Sequence, residues 1–164
     1  MASPDLSEIK LRCCEVIEEA MSTELPNIPA AVIPYFIYQQ SAYPYFTIRI
    51  GGDDIGYTGN EIDEDVYTFI IRCVIGHVTS GYEGQNDEIL DDIIPVIKTA
   101  FNQNEGLVSV AYPTAALWLE QGGENRMQSH SGFRVFNDSG LIGTTQVGTE
   151  FVLTCKFHQI LDEY

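Results

Sequence analysis

The stretch Val66-Tyr67-Thr68-Phe69-Ile70-Ile71-Arg72-Cys73-Val74-Ile75-Gly76-His77-Val78 decides the fold. β-Branched and aromatic residues dominate it, and such side chains fit a pleated surface better than a helix. Alternation puts Val66, Thr68, Ile70, Arg72, Val74, Gly76 and Val78 on one face. Tyr67, Phe69, Ile71, Cys73, Ile75 and His77 share the other. Both faces are largely apolar, which predicts a central strand covered on both sides.

On its N-terminal side, Tyr45-Phe46-Thr47-Ile48-Arg49-Ile50 reads as a second strand. The glycines from Gly51 to Asn60 read as a long loop between the two. Ala31-Val32-Ile33 and Phe36-Ile37-Tyr38 flank Pro34, so this run is predicted to be an edge or irregular strand. Ahead of it, Leu6, Ile9, Cys13, Val16, Ile17, Ala20 and Met21 recur at helical steps. Ser3 is the expected cap of that helix and Pro4 its first residue, and Pro26 and Pro29 end it.

On the C-terminal side, Ile89, Leu90, Ile93, Ile94, Ile97, Ala100 and Phe101 form the stripe of a second helix over Asp87 to Phe101. Asn86 is its expected cap, Pro95 an expected kink, and Gly106 its end. Leu107 to Val110 reads as a strand, continued from Ala115 to Leu119. Glu120 to Gly132 is polar and unpatterned, which predicts a flexible loop. Phe133 to Phe136 is a short strand, Asn137 to Gly140 a turn, and Thr144 to Ile160 the closing strand. Helix, strands, helix, strands is an α+β order. It predicts one domain over residues 1–164. In it a mainly antiparallel β-sheet carries two principal helices on one face, with long loops.

Charge narrows the function. The 164 residues hold 24 Asp plus Glu against 8 Lys plus Arg, a net charge of −16. A phosphate-neutralising nucleic-acid binder needs clustered Lys and Arg, and an anionic membrane would repel this chain. No apolar run reaches the length of a spanning helix. Met1 to Arg12 lacks the basic-then-apolar pattern of a signal sequence. Cys13, Cys14, Cys73 and Cys155 have irregular spacings and no C-x-x-C pair, so buried free thiols in a reducing cytoplasm are expected.

Nothing reaches the standard of an active site. Cys73 and His77 share a strand face, but two ligands do not make a zinc centre. Asp53, Asp54, Glu61, Asp63, Glu64 and Asp65 form an acidic stretch without a basic residue. It lacks the glycine and glutamate positions of a calcium loop and reads as a solvated loop or an electrostatic surface. Gly51-Gly52-Asp53-Asp54 resembles the acidic turn of polymerases only superficially. Phosphate-binding glycine loops and the G-x-S-x-G motif are absent. Asp91-Asp92 compensates the helix macrodipole. Tyr35, Tyr38, Tyr43, Tyr45 and Tyr57 cluster near prolines and glycines and suit either an interface or a satellite core.

Several features together resemble a known family. The capped helix ends in Leu25-Pro26-Asn27-Ile28-Pro29, an extended strand and the Gly-Asp segment follow, and "YTFIIRCVIG" leads to "DEILDDIIPVIKTAF". The chain closes on "GTEFVLTCKFHQI". In element order this resembles the tail terminator (tail completion) proteins of tailed bacteriophages and related neck proteins, over nearly the full chain. The resemblance implies a structural virion protein without catalysis or cofactor, assembled in the host cytoplasm. Its partners would be further copies of itself in a ring, typically of six subunits, the tail tube protein, and the head-side connector or stopper. The ring would end tube polymerisation and meet DNA only in passing. In such a ring Arg126 and Arg134 are expected to pair with Asp53, Asp54 or the Glu61 to Asp65 cluster of a neighbour, and the carboxylates to line the channel and repel phosphate. Two other readings stand beside it. One is a small acidic cytoplasmic binding or regulatory protein that recruits a basic partner. The other is a metal-dependent hydrolase using the carboxylates between Asp53 and Asp65.

Overall fold

β3 (Ile62–Val78) is the spine of the sheet, four residues longer at its start than its apolar core implies. It pairs antiparallel with β2 (Tyr45–Tyr57) on one side and with β6 (Thr145–Ile160) on the other. The computed structural model describes residues 5–37, 43–57, 62–78, 88–113, 126–132, 134–136 and 145–160. β1 (Ala31–Ile33) lies parallel to β2 at one edge, as its proline-flanked sequence predicts. β4 (Arg126–His130) and β5 (Arg134–Phe136) both pair antiparallel with the far side of β6, end to end, as two halves of one interrupted edge. The sheet is therefore five strands wide, in the order β1-β2-β3-β6-β4 with β5 beside β4 on β6.

Two helices, α1 (Leu6–Glu24) and α2 (Ile89–Gln103), cover one face. Phe69, Ile71, Cys73 and Ile75 of β3 are buried there, with Phe46 and Ile48 of β2 and Phe151, Leu153 and Cys155 of β6. Ile9, Cys13, Val16, Ile17 and Met21 of α1 and Leu90, Ile93, Ile97 and Phe101 of α2 fill the space above them. Each such side chain removed from water contributes about 1.5–3 kcal/mol before chain entropy is counted. The fold is the expected α+β arrangement, with both helices on one face.

Several local expectations need correction. The cap of α1 is Asp5, whose carboxylate accepts from the Glu8 amide at 3.1 Å, rather than Ser3. α2 starts at Ile89 behind Glu88, which makes no side-chain cap, and Asn86 lies outside the described residues. Pro95 sits inside α2 on its exposed side, and the helix runs on past it. Phe36 and Ile37 are not strand, and Tyr38 is outside the described residues. The segment from Gly51 to Tyr57 is strand, not loop: a bulge between Ile50 and Gly52 absorbs the irregularity and β3 supplies the ladder partners. The polar run after Glu120 likewise contains β4, because the open edge of β6 pairs with it whatever its propensity.

Leu107 to Val110 is not a strand either. Leu107 is buried with φ 49°, in the left-handed region. The turn it makes is tied to α1. Arg12 bonds Glu15 and Asn104, and Ser109 Oγ donates to Glu15 at 2.8 Å while accepting from the Tyr112 amide. Val108 and Val110 are left facing solvent.

Gly148 marks the tightest approach in the sheet. A Cβ there would stand 1.8 Å from the Cys73 carbonyl oxygen, beside the bulge of β3 between Val74 and Gly76. Gly148→Ala is expected to cost about 1–3 kcal/mol through forced separation of β3 and β6. A urea midpoint unchanged from the parent protein would contradict this.

Candidate functional site

The face of the sheet turned away from the helices carries the most concentrated polar chemistry among the described residues. It begins with alternation: Arg72 lies between Ile71 and Cys73 of the core and so points to the opposite side. Register sets Arg72 directly beside Glu150 of β6 and Thr47 of β2. Arg49 is two residues along β2 from Thr47. Arg134 of β5 pairs with Gly148, two residues from Glu150 on the same face.

These side chains converge on one carboxylate. Arg72 Nε donates to Glu150 Oε2 at 3.0 Å, and its Nη2 lies 3.0 Å from the same oxygen. Arg134 Nη1 donates to Glu150 Oε1 at 2.6 Å. Arg49 Nη2 stands 3.6 Å from Oε2. Arg72 and Glu150 are buried, at 3% and 7% exposure. The Arg134 and Arg49 side chains are open to solvent, at 51% and 39%.

Aromatic rings hold the guanidinium planes. Arg72 lies 4.0 Å over the Phe136 ring and 5.1 Å over Phe36. Arg134 approaches Phe136 at 5.6 Å and Arg49 approaches Phe36 at 6.0 Å. A small apolar cluster of Tyr45, Val74 and Phe136 adjoins them, where Gln146 Nε2 donates to the Tyr45 hydroxyl at 2.6 Å. Burial pushes the Tyr45 hydroxyl pKa up, against the hydrogen bond from Gln146. The interruption between β4 and β5 also fixes Glu150. Ser131 accepts from the Glu150 amide through Oγ and donates its own amide to the Glu150 carbonyl, both at 2.9 Å. Gly132, at φ 67°, makes the turn that leads on toward Arg134.

The residues expected from sequence fall into three places. Asp53 and Asp54 lie on β2 opposite Tyr67 and Val66, and Asp63, Glu64 and Asp65 lie on β3 opposite Tyr57, Gly56 and Ile55. The acidic residues therefore occupy two adjoining strands of one hairpin instead of a loop; Glu61 lies outside the described residues. Arg134 joins the Glu150 cluster. Arg126 pairs with Thr154, four residues along β6 from Glu150, a strand distance of about 13 Å. Arg49, Arg72 and Glu150 were not among the expected site residues. Their signal is a single charge within each of the largely apolar runs Tyr45–Ile50 and Val66–Val78 and, for Glu150, a carboxylate set between Thr149 and Phe151.

Chemically the cluster is three guanidinium groups gathered on one buried carboxylate of the same chain. Arginine stays protonated and presents several donors in a rigid fork, so it recognises anions and does not exchange protons near neutral pH. Among the described residues no three His, Cys, Asp or Glu side chains come together as a metal site. Cys73, weighed as a ligand with His77, is buried in the core, and burial pushes its thiol pKa up. No described helix is long and apolar enough to cross a membrane. A groove of about 370 Å³ between α1 and α2 is lined by small and polar residues such as Ala20, Thr23, Thr99 and Gln103, with Glu19 and Glu24 among them. Its described lining holds no Lys, Arg, His, Ser or Cys. Comparison with protein-family models gives no match, and comparison with curated proteins finds none significantly similar to this chain.

Proposed function

We propose that this chain is a ring-forming structural protein of the tail-terminator type, which caps a phage tail tube, ends its growth and joins it to the head-side connector. The observation that carries the reading is an uneven distribution of charged residues along the sheet. Asp53, Asp54, Asp63, Glu64 and Asp65 fall on the paired strands β2 and β3, and the open sheet face carries three arginines around one glutamate. Unlike patches that fit each other produce head-to-tail association, which closes into a ring when the rotation per subunit divides the circle. The order of elements, with two helices on one face of a mainly antiparallel sheet, supports the resemblance seen in the sequence.

The charge fits the same reading. Each subunit brings −16, and a ring multiplies it around whatever passes through. Carboxylates facing a channel repel phosphate, so DNA crosses without being held. Partners are then further copies of the chain, the tail tube protein and the connector or stopper. The place of action is the virion tail or neck, and no cofactor or catalytic step is involved.

Negative-stain imaging of the chain mixed with polymerising tail tubes tests this. Rings of uniform diameter with a stain-filled centre, seated at tube ends that stop lengthening, are the expected result. Tubes that grow unchanged and carry no density of this chain at either end rule the reading out.

A further inference from the structure

We propose that the groove between α1 and α2 is the docking site for an amphipathic helix of a partner protein, apolar along one face and flanked by Lys or Arg. The site lies on the solvent side of the helix layer and does not depend on the ring reading.

Shape comes first. Arg12, in the second turn of α1, bonds Asn104 just beyond α2, and the groove joins Glu24 to Pro95, so the two helices lie side by side and antiparallel. The residues that face each other across it are small. Val16 and Ala20 of α1 and Val96 and Ala100 of α2 floor the groove of about 370 Å³, within the size range of binding clefts. From Val16 to Glu24 it follows α1 for eight residues, about 12 Å or a little over two helical turns. A guest helix places one apolar stripe along that length, and a floor of small side chains lets it seat closely.

Charge identifies the guest. Glu19 and Glu24 line the groove with exposed side chains. Among the described residues neither has an ion-pair partner. Both lie toward the C-terminal end of α1, whose last turn has no basic residue. The macrodipole is negative there, so the two carboxylates reinforce a field that draws cations. An apolar floor under uncompensated negative charge matches a helix that gives aliphatic side chains to the floor and ammonium or guanidinium groups to the rim. A second copy of this chain does not fit that description. The basic residues of its two described helices are Lys10, Arg12 and Lys98, and Arg12 is buried and held by Glu15 and Asn104. One free lysine per helix does not make a basic flank, so the guest belongs to another protein.

Fluorescence anisotropy with the full-length protein and a labelled synthetic peptide tests the site. The probe is a helix-forming peptide of about 18 residues, with Ala and Leu along one face and Lys on both flanks. Its control is the same composition shuffled so that no apolar face remains. The helical peptide is expected to bind saturably, more weakly at high salt, and to gain helical circular dichroism as it binds. Glu19→Gln with Glu24→Gln should weaken binding roughly five- to tenfold at low salt. Thr99→Trp, which fills the groove from an exposed position on its rim, should weaken it at least as much. Glu8→Gln, at the other end of α1, should leave it unchanged. Thermal melts of the variants correct each affinity for folded content. Parental affinity in the glutamine variant or in Thr99→Trp overturns the proposal, since the peptide then sits elsewhere on an acidic surface. So does a shuffled peptide that binds equally well, or a helical peptide that shows no binding at millimolar concentration. Tube-end imaging decides the ring reading independently.

Discussion

Replacing Glu150 by alanine is expected to destabilise the protein by about 3–5 kcal/mol, among the largest effects of any single substitution here. Arg72 is 3% exposed and its guanidinium lies among Phe36, Phe136 and Glu150. Without the carboxylate, a buried charge loses its counter-ion while remaining shut off from water. Arg49 and Arg134 lose the same carboxylate, so the substitution is felt by all three guanidinium groups. Arg134→Ala should cost no more than about 1 kcal/mol, since half of that side chain is in solvent and screening weakens its pair. Replacing both buried partners, Arg72→Met with Glu150→Leu, should recover most of the loss, because no charge is then left buried. Urea denaturation of the three variants checks the order. If Arg134→Ala proves as damaging as Glu150→Ala, the cluster is not organised around the buried pair.

The second large effect is alkaline. Cys13, Cys73 and Cys155 are fully buried in the helix-covered core. Burial pushes the Cys155 thiol up to about 12 and holds Cys13 and Cys73 above the ordinary range as well. The nearby Cys155 and Cys14 raise Cys13 further. An unfolded thiol ionises near pH 8.5. Below that pH both states keep their protons and the protein has its full stability. Above it, the unfolded chain releases protons that the folded chain retains, so unfolding becomes more favourable with each step in pH. For Cys155 this continues until the folded thiol itself titrates near 12. Three such thiols should remove stability at a rate approaching roughly 4 kcal/mol per pH unit well above pH 8.5. A marginally stable domain would then unfold well before any backbone chemistry intervenes. Denaturant midpoints that stay level from about pH 8 to pH 10 would show that these thiols are not shielded as the structure places them. In the native protein near neutral pH the same thiols should resist alkylation, since little thiolate is present to react.

How much was legible beforehand differs by element. α1 and α2 were readable because their stripes, from Leu6 to Met21 and from Ile89 to Phe101, repeat at helical steps over several turns. β3 and β6 were readable because alternation is sustained across both. β4 was not, because Arg-Met-Gln-Ser-His carries no strand signal of its own and is strand only where β6 offers an edge. The run from Gly51 to Tyr57 misled for the same reason: two glycines and two aspartates resist a strand locally, yet β3 runs alongside them. Leu107 to Val110 misled in the other direction. Its apolar residues look like a strand, but Ser109 is held by Glu15 of α1 and none of the described strands pairs with it.

The site divides in the same way. Arg134 and the acidic stretch were singled out from their types and from the charge imbalance. Arg49, Arg72 and Glu150 are not legible as a site from sequence, because one charge in a strand has no meaning until its cross-strand neighbour is known.

By itself, then, the sequence determined the class of the fold, the two amphipathic helices and the acidity of the chain, since composition and periodicity are properties of the chain alone. Only the tertiary structure decided which strands are neighbours. That pairing extended the acidic segment into a hairpin and set Arg72 beside Glu150, 78 residues away along the chain. It also left two arginines half in solvent around one carboxylate. Register between distant strands follows from the fit of the whole sheet, so no local pattern encodes it.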